Sequence, residues 1–309
     1  MKTADRPDVT AFLALLNSMP KPDFATVTAE TMRTMNVAMI ALAELDAEPL
    51  ALIKNLEIPG PAGIIPARLY DAREARDPGP VMVFYHGGGF VIGSLDTYES
   101  YCVAAAHALD MPVISIDYRL APEHKWPAAP DDCEAATRWI AENIACTGLV
   151  TSGDSAGGNL AIITTMALRD NPAAVPVIAQ FPIYPVVADH DDWPSFREHS
   201  DAKLLTADVM KWFTVSYAAE ESHIRSTPLG FDHAGMPSTL IMTAGLDPLR
   251  DQGRAYAAAL ISVGVPTIYR EAVGNIHGFI SLRKAIPSGQ ADILGALAAL
   301  KAMVTEITA

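Results

Sequence analysis

The chain reads as an α/β protein built on an open, mostly parallel sheet, and three observations predict it. From residue 80 onward, short apolar runs alternate with longer helical patterns. The runs are continuous in Val and Ile rather than alternating, as in strands covered on both faces. A glycine-flanked serine stands between one such run and the helix behind it. Strand–helix alternation implies right-handed crossovers between parallel strands.

In chain order, residues 8–48 carry helical patterns but no strand, with a break at Pro20-Lys21-Pro22. Ile53–Ile58 and Ile64–Tyr70 flank Pro59-Gly60-Pro61 and predict an antiparallel hairpin at the sheet's edge. Buried strands follow at Val81–Tyr85, Val113–Asp117, Leu149–Ser152, Val177–Phe181, Thr239–Ala244 and Thr267–Ala272. Helical stretches fall near 97–109, 130–143, 157–170, 250–263 and 290–305. Residues 186–225 interrupt the alternation with a polar loop and then Thr206–Ala218, where Thr206 suits a helix start. Val209, Phe213 and Ser216 fall along one face of that stretch. The two strandless segments predict a helical cap over the sheet's carboxyl end, with ordinary peripheral helices as the alternative. The expected organisation is therefore cap residues 1–48, core 49–185, inserted cap 186–225 and core 226–309. No internal repeat or low-complexity tract is evident.

Composition narrows the function classes. Half of the 309 residues are hydrophobic and only 19% are charged, which suits a folded chain with a large core. Acidic residues exceed basic ones by 36 to 22, a net charge of −14, which argues against binding a phosphate backbone. Met1–Asp8 mixes both charge signs with no signal-peptide pattern behind it. No apolar run is long enough for a membrane span; the best, Val175–Ala188, is cut by three prolines. Cys102, Cys133 and Cys146 are odd in number and lack paired spacing, which fits buried, reduced thiols in a cytoplasmic protein.

The chemistry centres on Gly153-Asp154-Ser155-Ala156-Gly157. A serine between a strand and a helix turns so sharply that its backbone is strained, and the flanking glycines remove β-carbons that would collide. Its hydroxyl then projects where helix N-terminal amides favour negative charge. A serine nucleophile needs a base, and the base needs an orienting group. Downstream lie an apolar strand ending in Thr243-Ala244-Gly245-Leu246-Asp247, then another leading to Gly274-Asn275-Ile276-His277-Gly278. Ser155 is thus the expected nucleophile, His277 the general base and Asp247 its orienting acid. Glu271 and Asp251 are rival acids, but Asp251 would already lie in the following helix.

Val81–Tyr85 runs into His86-Gly87-Gly88-Gly89-Phe90, whose bare amides suit an oxyanion hole formed by Gly88, Gly89 and Ala156. A phosphate cradle is the rival reading, but the required downstream Lys-Ser/Thr or ribose acid is missing. His86 precedes the serine and suits a role in organising this loop. Asp189-His190-Asp191-Asp192 has adjacent rather than convergent ligands and reads as a solvated loop, so no metal is expected. Trp126, Trp193 and the Met32/Met35/Met39 stripe suit packing, and part of that stripe could line the cleft.

These residues give the chain a dense resemblance, over about residues 80–282, to the bacterial hormone-sensitive-lipase-like (family IV) esterases. The shared motifs include His86-Gly87-Gly88-Gly89-Phe90 with Gly93, Asp117-Tyr118-Arg119-Leu120-Ala121-Pro122-Glu123, Gly153–Asn159, Asp247–Asp251 and His277-Gly278-Phe279. The resemblance implies an α/β-hydrolase fold with a cap, carboxylesterase activity on short- to medium-chain acyl esters, and no metal or organic cofactor. It also implies bracing roles for Arg119 and Glu123, and a possible homodimer through an edge strand near 267–272. Two positions depart from the pattern: Asn275, where a methionine is frequent, and Tyr98, where a histidine is common.

Three functions compete. A serine carboxylesterase acting on a small-molecule ester fits the order serine, acid, histidine. A non-catalytic receptor, as in plant gibberellin receptors that resemble these esterases, lacks the histidine that stands here as His277. Amide cleavage shares the acyl-enzyme route, although trypsin-like proteases place their histidine and aspartate before the serine. Leu204, Val209 and Phe213 are the expected pocket residues, and their apolar character predicts uncharged acyl groups.

Overall fold

A single eight-stranded sheet organises the computed structural model, which describes residues 5–189, 193–201 and 203–309. The strands are β1 (Leu52–Gly60), β2 (Gly63–Asp71), β3 (Gly79–Tyr85), β4 (Val113–Ile116), β5 (Cys146–Asp154), β6 (Val177–Ile183), β7 (Ser238–Ala244) and β8 (Thr267–Ala272). Their spatial order is β1-β2-β4-β3-β5-β6-β7-β8. β1 and β2 pair antiparallel, β2 joins β4 antiparallel, and every pairing from β4 through β8 is parallel. The predicted strands all form.

The hairpin turns one step later than its prolines suggest. The ladder continues through Pro59↔Ile64 to Gly60↔Gly63, so the reversal falls on Pro61-Ala62. Gly63 takes φ +135°, open to glycine alone, and Pro59 is tolerated because β1 is an edge strand.

The helices are α1 (Pro7–Ser18), α2 (Ala29–Ala43), α3 (Glu99–Leu109), α4 (Ala128–Asn143), α5 (Ala156–Asp170), α6 (Pro194–His199), α7 (Ala207–Tyr217), α8 (Arg250–Ser262) and α9 (Pro287–Thr308). α3 and α9 cover one face of the sheet around Phe84, Phe181, Leu297 and Leu300. α4 and α5 cover the other around Val83, Ile114, Ile140 and Leu160, and α8 continues that layer. α9 is longer than its apolar pattern indicates, because Pro287 in its first turn needs no amide partner there.

Two burial expectations shift. Cys102 and Cys133 are buried, whereas Cys146 opens β5 only half-covered. In α7 the most buried positions are Met210 and Tyr217, one residue on from the predicted face, while Val209, Phe213 and Ser216 are half-buried. Tyr217 is drawn in by stacking on Phe90, with ring centroids 3.9 Å apart, and Met210 by packing against Leu205 and Leu249. Residues 190–192 of the acidic loop lie outside the described residues, and among the described residues no metal-binding cluster occurs. No described helix is long and apolar enough to cross a membrane.

Candidate active site

Parallel strands place everything that follows them on one edge of the sheet, and in open α/β sheets that edge carries the ligand site. Connections reverse direction at β3: the chain goes to β4 on one side, then crosses to β5 on the other. The glycine loop after β3 and the serine turn after β5 therefore face each other across the switch point.

Ser155 follows Asp154 directly and takes φ +55°, ψ −116°. Strain of this kind typically costs about 1–3 kcal/mol and persists only where the surroundings enforce it. The enforcement is visible in the glycines. A β-carbon on Gly157 would stand 1.9 Å from the Tyr85 carbonyl oxygen, and one on Gly153 2.3 Å from that of Gly157. The Ser155 amide donates to the Ile183 carbonyl at 2.9 Å, pinning the turn to β6.

Asp247 lies three residues past β7 and His277 five past β8. The Ser155 hydroxyl donates to His277 Nε2 at 2.8 Å, and Nδ1–H donates to Asp247 Oδ2 at 2.7 Å. Asp247 is fully buried and its Oδ1 accepts the Leu249 amide at 2.8 Å, so both oxygens are held. Ser155 and His277 are each less than a tenth exposed. Neither rival acid meets the histidine: Asp251 sits in α8 against Arg250, and Glu271 accepts from Tyr269 and Arg254.

Gly88 and Gly89 take φ +111° and +59°, and a side chain on Gly88 would run into the Ile92 carbonyl. Among the described residues the amides of Gly88 and Gly89 have no protein acceptor, whereas the Gly88 carbonyl accepts from Val91 and Ile92. His86 is buried, with Nδ1 2.7 Å from the Gly87 carbonyl oxygen and its ring stacked on Tyr118. Burial pushes its pKa down to about 4, which keeps it neutral inside the loop.

Asp154 plays a part that the motif alone does not disclose. Its Oδ1 accepts the Gly87 amide at 2.7 Å, and its Oδ2 accepts the Tyr98 and Tyr184 hydroxyls at 3.1 and 3.2 Å. The carboxyl thus ties the serine turn to the glycine loop. Burial drives its pKa up to about 6, against the opposing pull of His277 and these hydrogen bonds. Tyr98, where a histidine is common, serves here as a hydroxyl donor.

The site opens into a cleft of about 1280 Å³. α1 and α2 supply Leu16, Met32, Met35 and Met39 to its wall, and the segment around α7 supplies Leu204, Val209 and Phe213. The Phe213 ring lies directly on the glycine loop, where a β-carbon on Gly89 would come within 2.2 Å of it. Leu204 sits beside Gly278, next to the histidine. Arg33 of α2 ties that helix to the loop below: it pairs with Glu123 and donates to the Val91 and Ala121 carbonyls. Arg119 grips Asp132 instead.

The family described as having the alpha/beta hydrolase fold matches residues 82–281, the span that carries all of these motifs. Carboxylesterase NlhH of Mycobacterium tuberculosis is 36% identical over 97% of both chains. The chain belongs to the hormone-sensitive-lipase-like esterases of the α/β-hydrolase superfamily. An arylesterase of Saccharolobus solfataricus is 32% identical over 89% of this chain and 92% of its own. Among solved structures, an ester hydrolase from the metagenome of Lake Arreo superposes with a TM-score of 0.92 at 35% identity, covering 99% of this chain and all of the other. Like the members of that family, this chain is a carboxylic ester hydrolase.

Proposed function

We propose that this esterase cleaves short- to medium-chain acyl esters through an acyl-enzyme on Ser155, with His277 and Asp247 as its proton-handling partners. The observation that carries the reading is the unbroken line Ser155 Oγ, His277 imidazole and Asp247 carboxylate, at 2.8 and 2.7 Å, at the foot of an apolar cleft. In the first half-reaction the Ser155 oxygen attacks the ester carbonyl as its proton passes to His277 Nε2. The tetrahedral intermediate collapses, the alkoxide leaves with that proton, and the acyl group stays on the serine. A water then repeats the sequence and releases the acid.

Asp247 holds the tautomer in which Nε2 is free to accept, and its charge stabilises the imidazolium between the steps. The Gly88, Gly89 and Ala156 amides would receive the oxyanion, and losing such a donor typically costs about 2.7–4 kcal/mol of barrier. The described parts of residues 1–48 and 186–225 form, in this reading, one cap that shapes the acyl and alcohol pockets through Leu204, Val209 and Phe213.

Ser155→Ala is expected to abolish turnover of p-nitrophenyl butyrate while leaving the circular dichroism spectrum unchanged. Near-normal turnover in that variant sinks the proposal, and tight ester binding by an inert wild type would favour the receptor reading. β8 is an edge strand with Ile268 and Tyr269 exposed, which supports a homodimer. Sedimentation at micromolar concentration should then give twice the monomer mass, and a monomer there rejects it.

A further inference from the structure

The loops that carry Asp247 and His277 are anchored from outside the sheet, by the start of the chain. Leu246 and Ile276, the residues immediately before the acid and the histidine, are both buried in one cluster with Val9, Phe12 and Leu13 of α1. A polar chain reinforces that apolar contact. Arg6, just ahead of α1, donates to the Val273 carbonyl at 2.7 Å and to Asp292 through both terminal nitrogens, at 2.6 and 3.2 Å. Asp292 Oδ2 also accepts the Asn275 side-chain amide at 3.3 Å.

Asn275 is fully buried and uses each of its remaining groups on the same loops. Its Oδ1 accepts the Ile276 amide at 3.0 Å, and its backbone carbonyl accepts the Leu246 amide at 2.8 Å. One residue therefore meets both loops: its side chain holds the histidine loop and, through Asp292, the arginine at the head of α1, while its backbone carbonyl holds the acid loop. A methionine, frequent here in similar esterases, would supply none of the side-chain bonds.

We propose that Asn275 is a positioning residue that couples the docking of α1, through Asp292 and Arg6, to the alignment of His277 with Asp247. The proposal rests on the triad reading above. Its physical basis is the steep dependence of proton transfer on geometry: a displacement of about 1 Å from remote changes can cost about 10²-fold in rate. A buried amide removed from this hub leaves the Ile276 N–H without its acceptor one residue from the imidazole. Asn275, Asp292 and Arg6 all lie outside the cleft lining, so the effect is expected in the chemical step rather than in substrate binding.

The test compares Asn275→Leu, Arg6→Met and the double variant with wild type. kcat and KM for p-nitrophenyl butyrate are measured well below each melting midpoint. Asn275→Leu is expected to lower kcat by about ten- to a hundred-fold with KM within about two-fold. Adding Arg6→Met should then cost little more, because both substitutions cut one chain. If Asn275→Leu does not fold, Arg6→Met on the partly exposed arginine carries the same test, with a fall in kcat at constant KM that Arg6→Lys restores. A kcat for Asn275→Leu within about two-fold of wild type overturns the proposal, as do losses that multiply independently. So does a lowered melting point with kcat intact. Ser155→Ala assayed alongside separates the two readings: if it is inactive while Asn275→Leu behaves as wild type, only the coupling fails.

Discussion

Two buried ionisable groups beside Ser155 are shifted in opposite directions by burial, and this gives the candidate site a residue-level pH signature. Burial raises Asp154 to about 6 and lowers His86 to about 4. A carboxyl with a raised folded pKa contributes stability that is complete below its unfolded value, near ~3.9, and is lost as the pH rises through about 6. An imidazole with a depressed folded pKa contributes stability that is complete above ~6.5 and is lost as the pH falls through about 4. Between pH 4 and 6 the two slopes oppose. Asp154→Asn removes one of them and leaves His86 unopposed. Urea unfolding at several pH values should show the variant losing stability more steeply than wild type from pH 6 to 4, by up to ~2–3 kcal/mol over that range. Parallel curves for variant and wild type would reject the assignment.

At the scale of the element, α7 is the part that reaches the reaction centre. Thr206 accepts the Val209 amide at 3.3 Å and starts the helix, and Tyr217 stacks on Phe90 at its far end. Between them Phe213 rests on Gly89, within the loop that would receive the oxyanion. Phe213→Ala empties that space without disturbing the buried Met210 and Tyr217. A short-chain ester should lose about 1–3 kcal/mol of transition-state binding, read as a fall in kcat/KM, while a bulky branched acyl ester loses less or gains. An equal effect on both esters would show that Phe213 does not shape the acyl pocket. The sheet contributes in a different way. It delivers the serine, acid and histidine to the same edge because β5, β7 and β8 all run parallel.

For the whole molecule, the question is what holds α1 and α2 over the sheet. Their apolar contact is supplemented by a buried ion pair: Arg283, two residues beyond the turn after His277, donates through Nε to Glu44 at the end of α2 at 2.6 Å. The Arg283 backbone amide donates to the same carboxylate at 2.9 Å, and both side chains are almost fully buried. Arg283→Met leaves the Glu44 charge uncompensated, and chemical denaturation should show a loss of about 3–5 kcal/mol. The double variant with Glu44→Leu should recover much of it, because a well-packed apolar pair removes the buried charge altogether. A loss under about 1 kcal/mol for the single variant would mean that water reaches the carboxylate.

Much of this was legible in the chain because it depends on local chemistry. Continuous Val/Ile runs belong to covered parallel strands, and Gly153 and Gly157 stand where any β-carbon would strike backbone. His86-Gly87-Gly88-Gly89 and the downstream Asp247 and His277 were legible as candidates from residue type and order alone. The true hairpin turn at Pro61-Ala62 was not, since register depends on which carbonyls find partners across the ladder. Nor could spacing reveal that Asp154 meets two tyrosines, that Phe213 lies on Gly89, or that Arg6 reaches the histidine loop from 267 residues away. The sequence by itself determined which chemical groups exist and which strand each one follows. Only the tertiary structure decided which of them share a hydrogen bond or a buried wall, because those contacts arise from how distant segments pack, and no periodicity records that.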